Sequence, residues 1–252
     1  MAIFLTMLLM GMVLGFAGTG GSGFIIGILV AVFNVPVHTA LGTSMAAMVF
    51  TTLSGSVSHF KEGNARLRSG LIIGAFGAGG AYAGTFIARM IASEQLIYLT
   101  SGMLCVSGLL IWYRTTRTFP ANSEALEVES GRKSTSQFWL LACLTGLVTG
   151  VLSGVFGIGS TPFIQLALLI WFGFPLRQAV GTTMVVILPI AMFGSIGFLQ
   201  AGYLDLLLLA KVVAGTMIGS YIGAKFTKRA PRFILRTAMI VTPIAGALLL
   251  LI

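Results

Sequence analysis

The fold of this chain is decided by residues 15–23, Gly-Phe-Ala-Gly-Thr-Gly-Gly-Ser-Gly, which interrupt an apolar run. The pattern returns 139 positions later, where residues 154–162 read Gly-Val-Phe-Gly-Ile-Gly-Ser-Thr-Pro. Between residues 15 and 56, 14 of 42 positions are identical to their counterparts without a gap. Apolar segments do not keep glycines and prolines in register by chance. The chain is therefore a tandem duplication, and each copy opens with a glycine-rich break.

The composition identifies the medium in which the chain folds. Of its 252 residues, 57% are hydrophobic and 8% are charged, whereas about 25% are charged in an average soluble domain. Backbone groups find no water in a bilayer, so membrane spans are helices or closed barrels. Apolar runs of about 20 residues favour helices over barrel strands. The sequence therefore predicts an all-α polytopic membrane protein.

Each copy is expected to contain a broken first segment and three further spans. Residues 1–113 form repeat one, residues 114–136 a mobile polar cytoplasmic linker, and residues 137–252 repeat two. A single long tilted helix over residues 2–33 is the alternative to two half-length helices. Glycines at spacings of three and four in the third span predict close helix packing. The predicted segments are 2–33 (broken at 18–23), 37–60, 69–91 and 95–113, then 137–173 (broken at 154–162), 176–199, 203–226 and 232–252.

The loop charges indicate how the two copies are oriented. The net charge is +9, and the basic residues lie in short loops rather than among aromatic residues, which is a topology signal and not a nucleic-acid-binding surface. Residues 61–68 are basic, whereas their counterparts at 200–207 contain no Lys or Arg. The segment 225–236 is strongly basic, whereas its counterpart is not. The positive-inside rule then favours an inverted repeat, although a parallel repeat with four full spans per copy fits the lengths almost as well.

The two breaks are the leading candidates for a substrate site. Unwound backbone frees N–H groups, and a helix N-terminus carries about half a positive charge, so a break is suited to an anion. The alternative is that the glycines only permit tight packing. A dinucleotide site is not expected, because the Gly-x-Gly-x-x-Gly string does not follow a strand. The predicted substrate-binding residues of the breaks are Gly18, Gly20, Gly21, Ser22 and Gly23 in the first copy and Gly157, Gly159, Ser160 and Thr161 in the second.

Hydroxyl groups near the start of the second span supply a further part of the predicted site. They are Thr43 and Ser44 in the first copy and Thr182 and Thr183 in the second, here called the hydroxyl pairs. At equivalent places they are expected to face one another across a pseudo-two-fold axis and to replace part of an oxyanion's hydration shell. The alternative is that they bond back to carbonyls of their own helices. Gln165 is added as a buried amide inside the second broken segment.

Few ionisable residues lie within the predicted spans, where such a residue is a functional candidate by default. His38 and Arg177 flank the second spans and could attract an anion, as could Lys211, although all three also suit interfacial anchoring. His59 could titrate near neutral pH or be structural. Carboxylates are essentially absent from the spans, with only Asp205 near the start of 203–226, which does not support a sodium or proton site built on a buried Asp or Glu. Neither a catalytic group, a metal cluster nor a cofactor site is expected, so the protein is not expected to be an enzyme.

The same residues carry a resemblance to a known family. The run Gly18–Gly23, then Ala40–Ser44, then Ser54-Gly55-Ser56 with His59, all within the duplicated pattern, resemble the sulfite exporter TauE/SafE family of bacterial membrane proteins. The resemblance covers nearly the whole chain apart from the linker. It implies an inner-membrane permease for small sulfur-containing anions such as sulfite, sulfoacetate or other organosulfonates. Ile158, Ser160 and Pro162 depart from the first copy's Thr19, Gly21 and Gly23, so a two-fold site would have unequal halves.

These observations together predict a secondary transporter of small anions that works by alternating access of its two copies. An anion channel is the alternative. The partners expected are a small anionic substrate and the lipid bilayer, with a homo-oligomer left open and no nucleic acid. The location expected is the inner cell membrane, which the chain crosses several times.

Overall fold

The computed structural model describes residues 2–17, 22–117, 135–158, 160–227 and 232–251. Within these residues the protein is helical. The helices are α1 (Ala2–Ala17), α2 (Ser22–Ala31), α3 (Val37–Lys61), α4 (Leu67–Met90), α5 (Ser93–Arg117), α6 (Thr135–Phe156), α7 (Thr161–Ile170), α8 (Leu176–Gln200), α9 (Leu206–Thr227) and α10 (Arg232–Leu251).

In each copy the described residues form an interrupted first segment followed by three further helices. The pairs α1–α2 and α6–α7 replace single long helices, with α2 and α7 only 10 residues long. The second pair is unequal, because α6 has 22 residues and at about 1.5 Å per residue is long enough to cross a bilayer. Helices α5 and α6 also extend into both ends of the predicted linker, and residues 118–134 lie outside the described part.

Length and hydropathy identify a membrane protein. Five helices within the described residues, α3, α4, α6, α8 and α9, are long and apolar enough to cross a membrane. Large apolar side chains are exposed along them, such as Leu71 on α4 at 52% and Leu140 on α6 at 70%. In water these surfaces would be unfavourable, whereas hydrocarbon solvates them. The chain is therefore a multi-pass helical membrane protein.

Helices of the two copies interlock rather than forming separate bundles. The largest contacts pair α1 with α9 and α4 with α6, each across the copies. Helices α1 and α9 run parallel, since Gly215 packs against Phe4 whereas Gly223 packs against Met12 and Phe16. The equivalent pair, α4 and α6, also runs parallel, because successive glycines along α4 meet successive glycines along α6. The glycine contacts of that pair are Gly77 with Gly146, Gly80 with Gly150 and Gly84 with Gly154.

The central pair, α3 and α8, runs antiparallel. Gly42, near the start of α3, packs against Phe198 and Tyr203 at the far end of α8 and in the turn behind it. Gly181, near the start of α8, packs against His59, near the end of α3. Since residues 42 and 181 are counterparts, as are 59 and 198, the two copies make the same contact in exchanged roles.

The same exchange occurs in the middle of this pair. The methyl group of Met45 occupies the space that a side chain at Gly194 would need, and Met184 lies in the same way against Gly55. Met45 is the counterpart of Met184, and Gly55 is the counterpart of Gly194. The contacts between α3 and α8 are thus reciprocal, with counterpart residues in exchanged roles.

The turns after α3 and α8 are also equivalent. Gly63 and Gly202 have φ of +71° and +76°, a left-handed conformation that glycine adopts without strain. The amides of Asn64 and Tyr203 then bond back to the carbonyls of His59 and Phe198 at 2.8 and 3.1 Å. Such bonds satisfy carbonyls that the helix end leaves without a partner.

Close backbone approach through glycine predicts a matched pair of stability effects on α4. A Cβ at Gly80 would overlap the carbonyl oxygen of Leu147 on α6, whereas a Cβ at the neighbouring Gly79 would meet nothing within 4 Å. We expect Gly80→Ala to destabilise the fold by about 1–3 kcal/mol, the usual cost of overpacking. Gly79→Ala should be neutral or slightly stabilising, because Ala is the better helix former. Thermal unfolding in detergent measures both, and equal Tm values would contradict the packing described.

Candidate functional site

The break of the second copy is the best described part of the candidate site. Gly157 and Ser160 have left-handed backbone conformations, with φ of +64° and +43°. Thr161 begins α7. A left-handed conformation costs a non-glycine residue roughly 1–2 kcal/mol, so the surrounding structure must hold Ser160 in place. Strain of this kind is concentrated at functional sites.

Ser160 occupies the N-cap position of α7 without capping it. Its carbonyl accepts the amide protons of Phe163 and Ile164 at 3.0 Å each, but its side chain makes no capping hydrogen bond. The hydroxyl is fully buried and has no hydrogen-bond partner among the described residues. A buried polar group without a partner is unfavourable by about 1–3 kcal/mol. The hydroxyl is therefore available to a ligand at the positive end of α7.

The two breaks approach each other inside the protein. The Cα of Gly23, at the start of α2, faces Ile158 from the second break and Leu104, which lies midway along α5. Gly157 packs against Leu41 near the start of α3. Gly23 and Gly157 therefore lie against protein, which is where irregular backbone is tolerated in a membrane protein. Gly18, Gly20, Gly21 and Gly159 lie outside the described residues, as does the side chain of Ser22.

The hydroxyl pairs divide into two kinds. Ser44 donates to the carbonyl of Leu41 at 2.9 Å, and Thr183 donates to that of Ala179 at 2.7 Å. These are the bonds of a hydroxyl to its own helix that the sequence left as the alternative, and they occupy the only proton each group can donate. Thr182 accepts the backbone amide of Arg66 at 3.1 Å.

Thr43 differs from its counterpart Thr182. It is fully buried, and its hydroxyl has no hydrogen-bond partner among the described residues. The expectation that the pairs face each other is wrong, because Gly42 and Gly181 pack at opposite ends of the α3–α8 crossing. His59, which packs against Gly181, lies sixteen residues after Thr43 on α3. That separation corresponds to roughly 24 Å of helix. Thr43 instead lies two residues beyond Leu41, the side chain that touches the second break.

One serine beside the break was missed by sequence reasoning. Ser153 lies in the last turn of α6, is fully buried, and has an unpartnered hydroxyl within the described part. Its counterpart in the first copy is Leu14. A polar residue where the other copy has leucine was the signal available in the sequence. Thr161 and Gln165 on α7 are also buried, at 1% and 0% exposure.

The three basic residues predicted to attract an anion lie at the periphery. His38 is half-buried and lies 3.3 Å from both the carbonyl of Ala88 and the hydroxyl of Ser93, with its ring stacked on Tyr203. His38 thus links the start of α3 to the end of α4, the start of α5 and the turn after α8. Arg177 and Lys211 are exposed. These positions match the interfacial anchoring that the sequence left as the alternative.

His59 is the one ionisable side chain among the described residues that is fully buried. Its Nε2 lies 3.3 Å from the carbonyl oxygen of Gly15, in the last turn of α1. Its Nδ1 has no partner among the described residues. The counterpart in the second copy is Phe198, which is also fully buried. His59 thus joins α3 to the helix that leads into the first break.

Duplicated interrupted helices, spanning helices and buried hydroxyl groups define a polytopic membrane transporter. Comparison with known proteins identifies the family. The family described as Sulfite exporter TauE/SafE matches residues 3–250, and the chain belongs to this family. Its members are membrane transporters, so the protein is a transporter and not an enzyme.

Curated relatives agree with this assignment. The chain is 47% identical over its whole length, and the whole length of the relative, to the probable membrane transporter protein YdhB of Bacillus subtilis. It is 26% identical to YunE of the same organism, with 78% of this chain and 74% of that protein covered. A probable membrane transporter protein of Xylella fastidiosa is 25% identical, with 88% and 82% covered. No solved structure matches the chain.

The difference between the two threonines predicts opposite effects of the same substitution. We expect Thr182→Val to cost about 1–3 kcal/mol, because the Arg66 amide loses its acceptor in a half-buried position. Thr43→Val removes a buried hydroxyl that has no partner among the described residues, and should leave stability unchanged or raise it. Thermal unfolding of the purified variants measures both. A loss of stability in Thr43→Val as large as in Thr182→Val would contradict the assignment of Thr43 as unpartnered.

Proposed function

We propose that the protein is a secondary transporter of small sulfur-containing anions, such as sulfite or an organosulfonate, across the inner membrane. It works by alternating access of two inverted repeats, residues 1–113 and 137–252, which a cytoplasmic linker at 114–136 joins. Family membership supports the class of activity. The substrate and the mechanism are the additional parts of the proposal.

The observation that carries the mechanism is the antiparallel crossing of α3 and α8. These helices are counterparts in the two copies, and counterparts that run in opposite directions are what an inverted repeat requires. The odd number of crossings per copy follows if α1–α2 and α6–α7 are hairpins that each enter and leave on one side. The reciprocal contacts of Met45 and Met184 then allow the two copies to exchange conformations.

The loop charges support the same orientation. Ser54 and Ser58 on α3 donate to the carbonyls of Met217 and Tyr221 on α9 at 3.1 and 3.4 Å, so α3 and α9 run parallel. Their C-terminal ends, which carry the basic segments 61–68 and 225–236, therefore lie on one side. The positive-inside rule makes that side cytoplasmic.

The proposed anion site is centred on the second break. Ser160, at the N-terminus of α7, and Ser153 offer buried hydroxyl protons, and Thr43 offers a third from α3. Neutral donors around a helix N-terminus suit a compact oxyanion, because they replace its hydration shell without trapping it as a salt bridge would. Gly23, where the first copy resumes its helix, packs against Ile158 of this break, and the predicted residues Gly18, Gly20 and Gly21 remain part of the proposal. Ser44 and Thr183 contribute only in a conformation that releases their hydroxyl protons.

Flux in proteoliposomes tests the proposal. The wild-type protein should take up labelled sulfite with saturation, and unlabelled sulfite inside the vesicles should accelerate that uptake by counterflow. Ser160→Ala should reduce the rate at least tenfold, since a hydrogen bond to a charged group contributes about 1.5–3 kcal/mol. The control is Ser195→Ala, because Ser195 is half-buried and donates to the carbonyl of Met192 in its own helix.

Three outcomes are informative against the proposal. Uptake that does not saturate and shows no counterflow would indicate the anion channel instead. Saturating uptake with equal rates for Ser160→Ala and wild type would remove the site but leave the transporter. A wild-type protein that carries neither sulfite nor methanesulfonate would contradict the proposed substrate class.

A further inference from the structure

His59 and its surroundings form a second polar cluster that the proposed anion site does not use. Its Nδ1, the hydroxyl of Ser56 and the side-chain nitrogen of Asn64 are buried and lack partners among the described residues. Ser56 lies three residues before His59 and therefore on the same face of α3. The backbone amide of Asn64 donates to the carbonyl of His59 at 2.8 Å, so the three residues belong to one end of α3.

The contact with Gly15 fixes which nitrogen of His59 carries the proton. A carbonyl oxygen only accepts, so Nε2 must be the donor in that contact. In the neutral ring Nδ1 then carries no proton, and its lone pair can accept a hydrogen bond or bind a proton. The ring can bind one more proton, and only at Nδ1.

Among the charged groups on the neighbouring elements, the Glu62 carboxylate acts electrostatically on the His59 ring. Helix α1 carries no charged side chain. On α3 and the turn behind it are Lys61 and Glu62, while Arg66, Arg177 and Lys225 belong to α4, α8 and α9. Glu62 is half-buried and the four cations are exposed at the ends of their elements. A buried positive charge needs a partner. Glu62 supplies part of that compensation from the turn behind α3, and an anion bound beside Nδ1 would complete it.

We propose that His59 couples anion transport to protons. The inference rests on the proposed function. A proton from the side that is open binds Nδ1 while the anion, on its way to or from the second break, lies beside the ring, where Ser56 and Asn64 donate hydrogen bonds to it. The imidazolium and a monovalent anion together carry no net charge across the membrane. When the other side opens, the anion leaves and Nδ1 releases its proton to water, so one proton moves with each anion.

Substitution of His59 separates coupling from transport. His59→Gln keeps a side-chain N–H for the Gly15 carbonyl but cannot take up a proton. In proteoliposomes, an inward proton gradient should drive accumulation of methanesulfonate by the wild type, with acidification of the lumen reported by an internal dye. Methanesulfonate stays ionised throughout, so its own protonation cannot mimic coupling. His59→Gln should retain counterflow and lose both the gradient-driven accumulation and the proton flux.

Two further variants serve as checks. His59→Phe copies the residue that the second copy has at this position, so it should fold and be uncoupled in the same way. His38→Gln removes the other histidine of the chain and should remain coupled. Gradient-driven accumulation by His59→Gln equal to that of the wild type would overturn the proposal. Transport by the wild type that ignores the gradient would also overturn it, while leaving the proposed function intact.

If methanesulfonate is not carried, a measurement that does not need transport still tests the role of His59. With His38→Gln in nanodiscs and ¹⁵N-labelled histidine, only the ring of His59 gives a signal. The account expects the neutral Nε2–H form alone and a doubly protonated ring when methanesulfonate is added at mildly acidic pH. A ring that does not respond to the anion, or that is already doubly protonated without it, would overturn the proposal.

Discussion

The structure depends on one constraint, which is that backbone N–H and C=O groups cannot be exposed to hydrocarbon. Each copy nevertheless interrupts its first segment, between α1 and α2 and between α6 and α7. The helix that leads into each interruption is covered by the other copy, with α9 packed along α1 and α4 packed along α6. The glycines on these interfaces bring backbones close enough to exclude lipid. The side chain of His59 extends the same protection by donating to the Gly15 carbonyl just before the first break.

The two copies share a geometry but not a chemistry. Equivalent positions hold His59 and Phe198, Ser153 and Leu14, and Arg66 and Asp205. The shared part is the packing, namely the glycine interfaces and the exchanged methionine contacts, which both copies need to fold. The unequal part consists of polar groups that have no partner among the described residues or serve in only one copy. A duplicated scaffold can in this way support a site whose two halves do different work.

Much of the fold could be predicted from the sequence. Glycine, proline and charge mark helix ends directly, so the predicted span 176–199 differs from α8 by a single residue. The length of α6 was less clear, because apolar residues run through the break without a polar boundary. The close packing of α4 could be predicted from its glycine spacing. The identity of its partner, α6, could not, because helix pairing across copies depends on tertiary contacts that no local pattern records.

The candidate site was less predictable than the fold. Sequence shows which hydroxyls exist but not where their protons point, so Thr43 and Ser44 looked alike. Their helix positions differ by 100°, which leaves Thr43 without a partner among the described residues and turns Ser44 towards its own carbonyl. The prediction that the hydroxyl pairs face each other was wrong for a different reason. Counterparts near the starts of two antiparallel helices are placed at opposite ends, and symmetry alone does not bring them together.

Sidedness of equivalent positions tests the central claim, the inverted arrangement, most directly. Lys61 and Gln200 are counterparts at the exposed ends of α3 and α8, and each can be replaced by cysteine after Cys105 and Cys143 are changed to alanine. A membrane-impermeant maleimide applied to right-side-out and inside-out vesicles then reports the side of each thiol. The account predicts that Lys61→Cys reacts only from the cytoplasmic side and Gln200→Cys only from the opposite side. Reaction of both from the same side would contradict it.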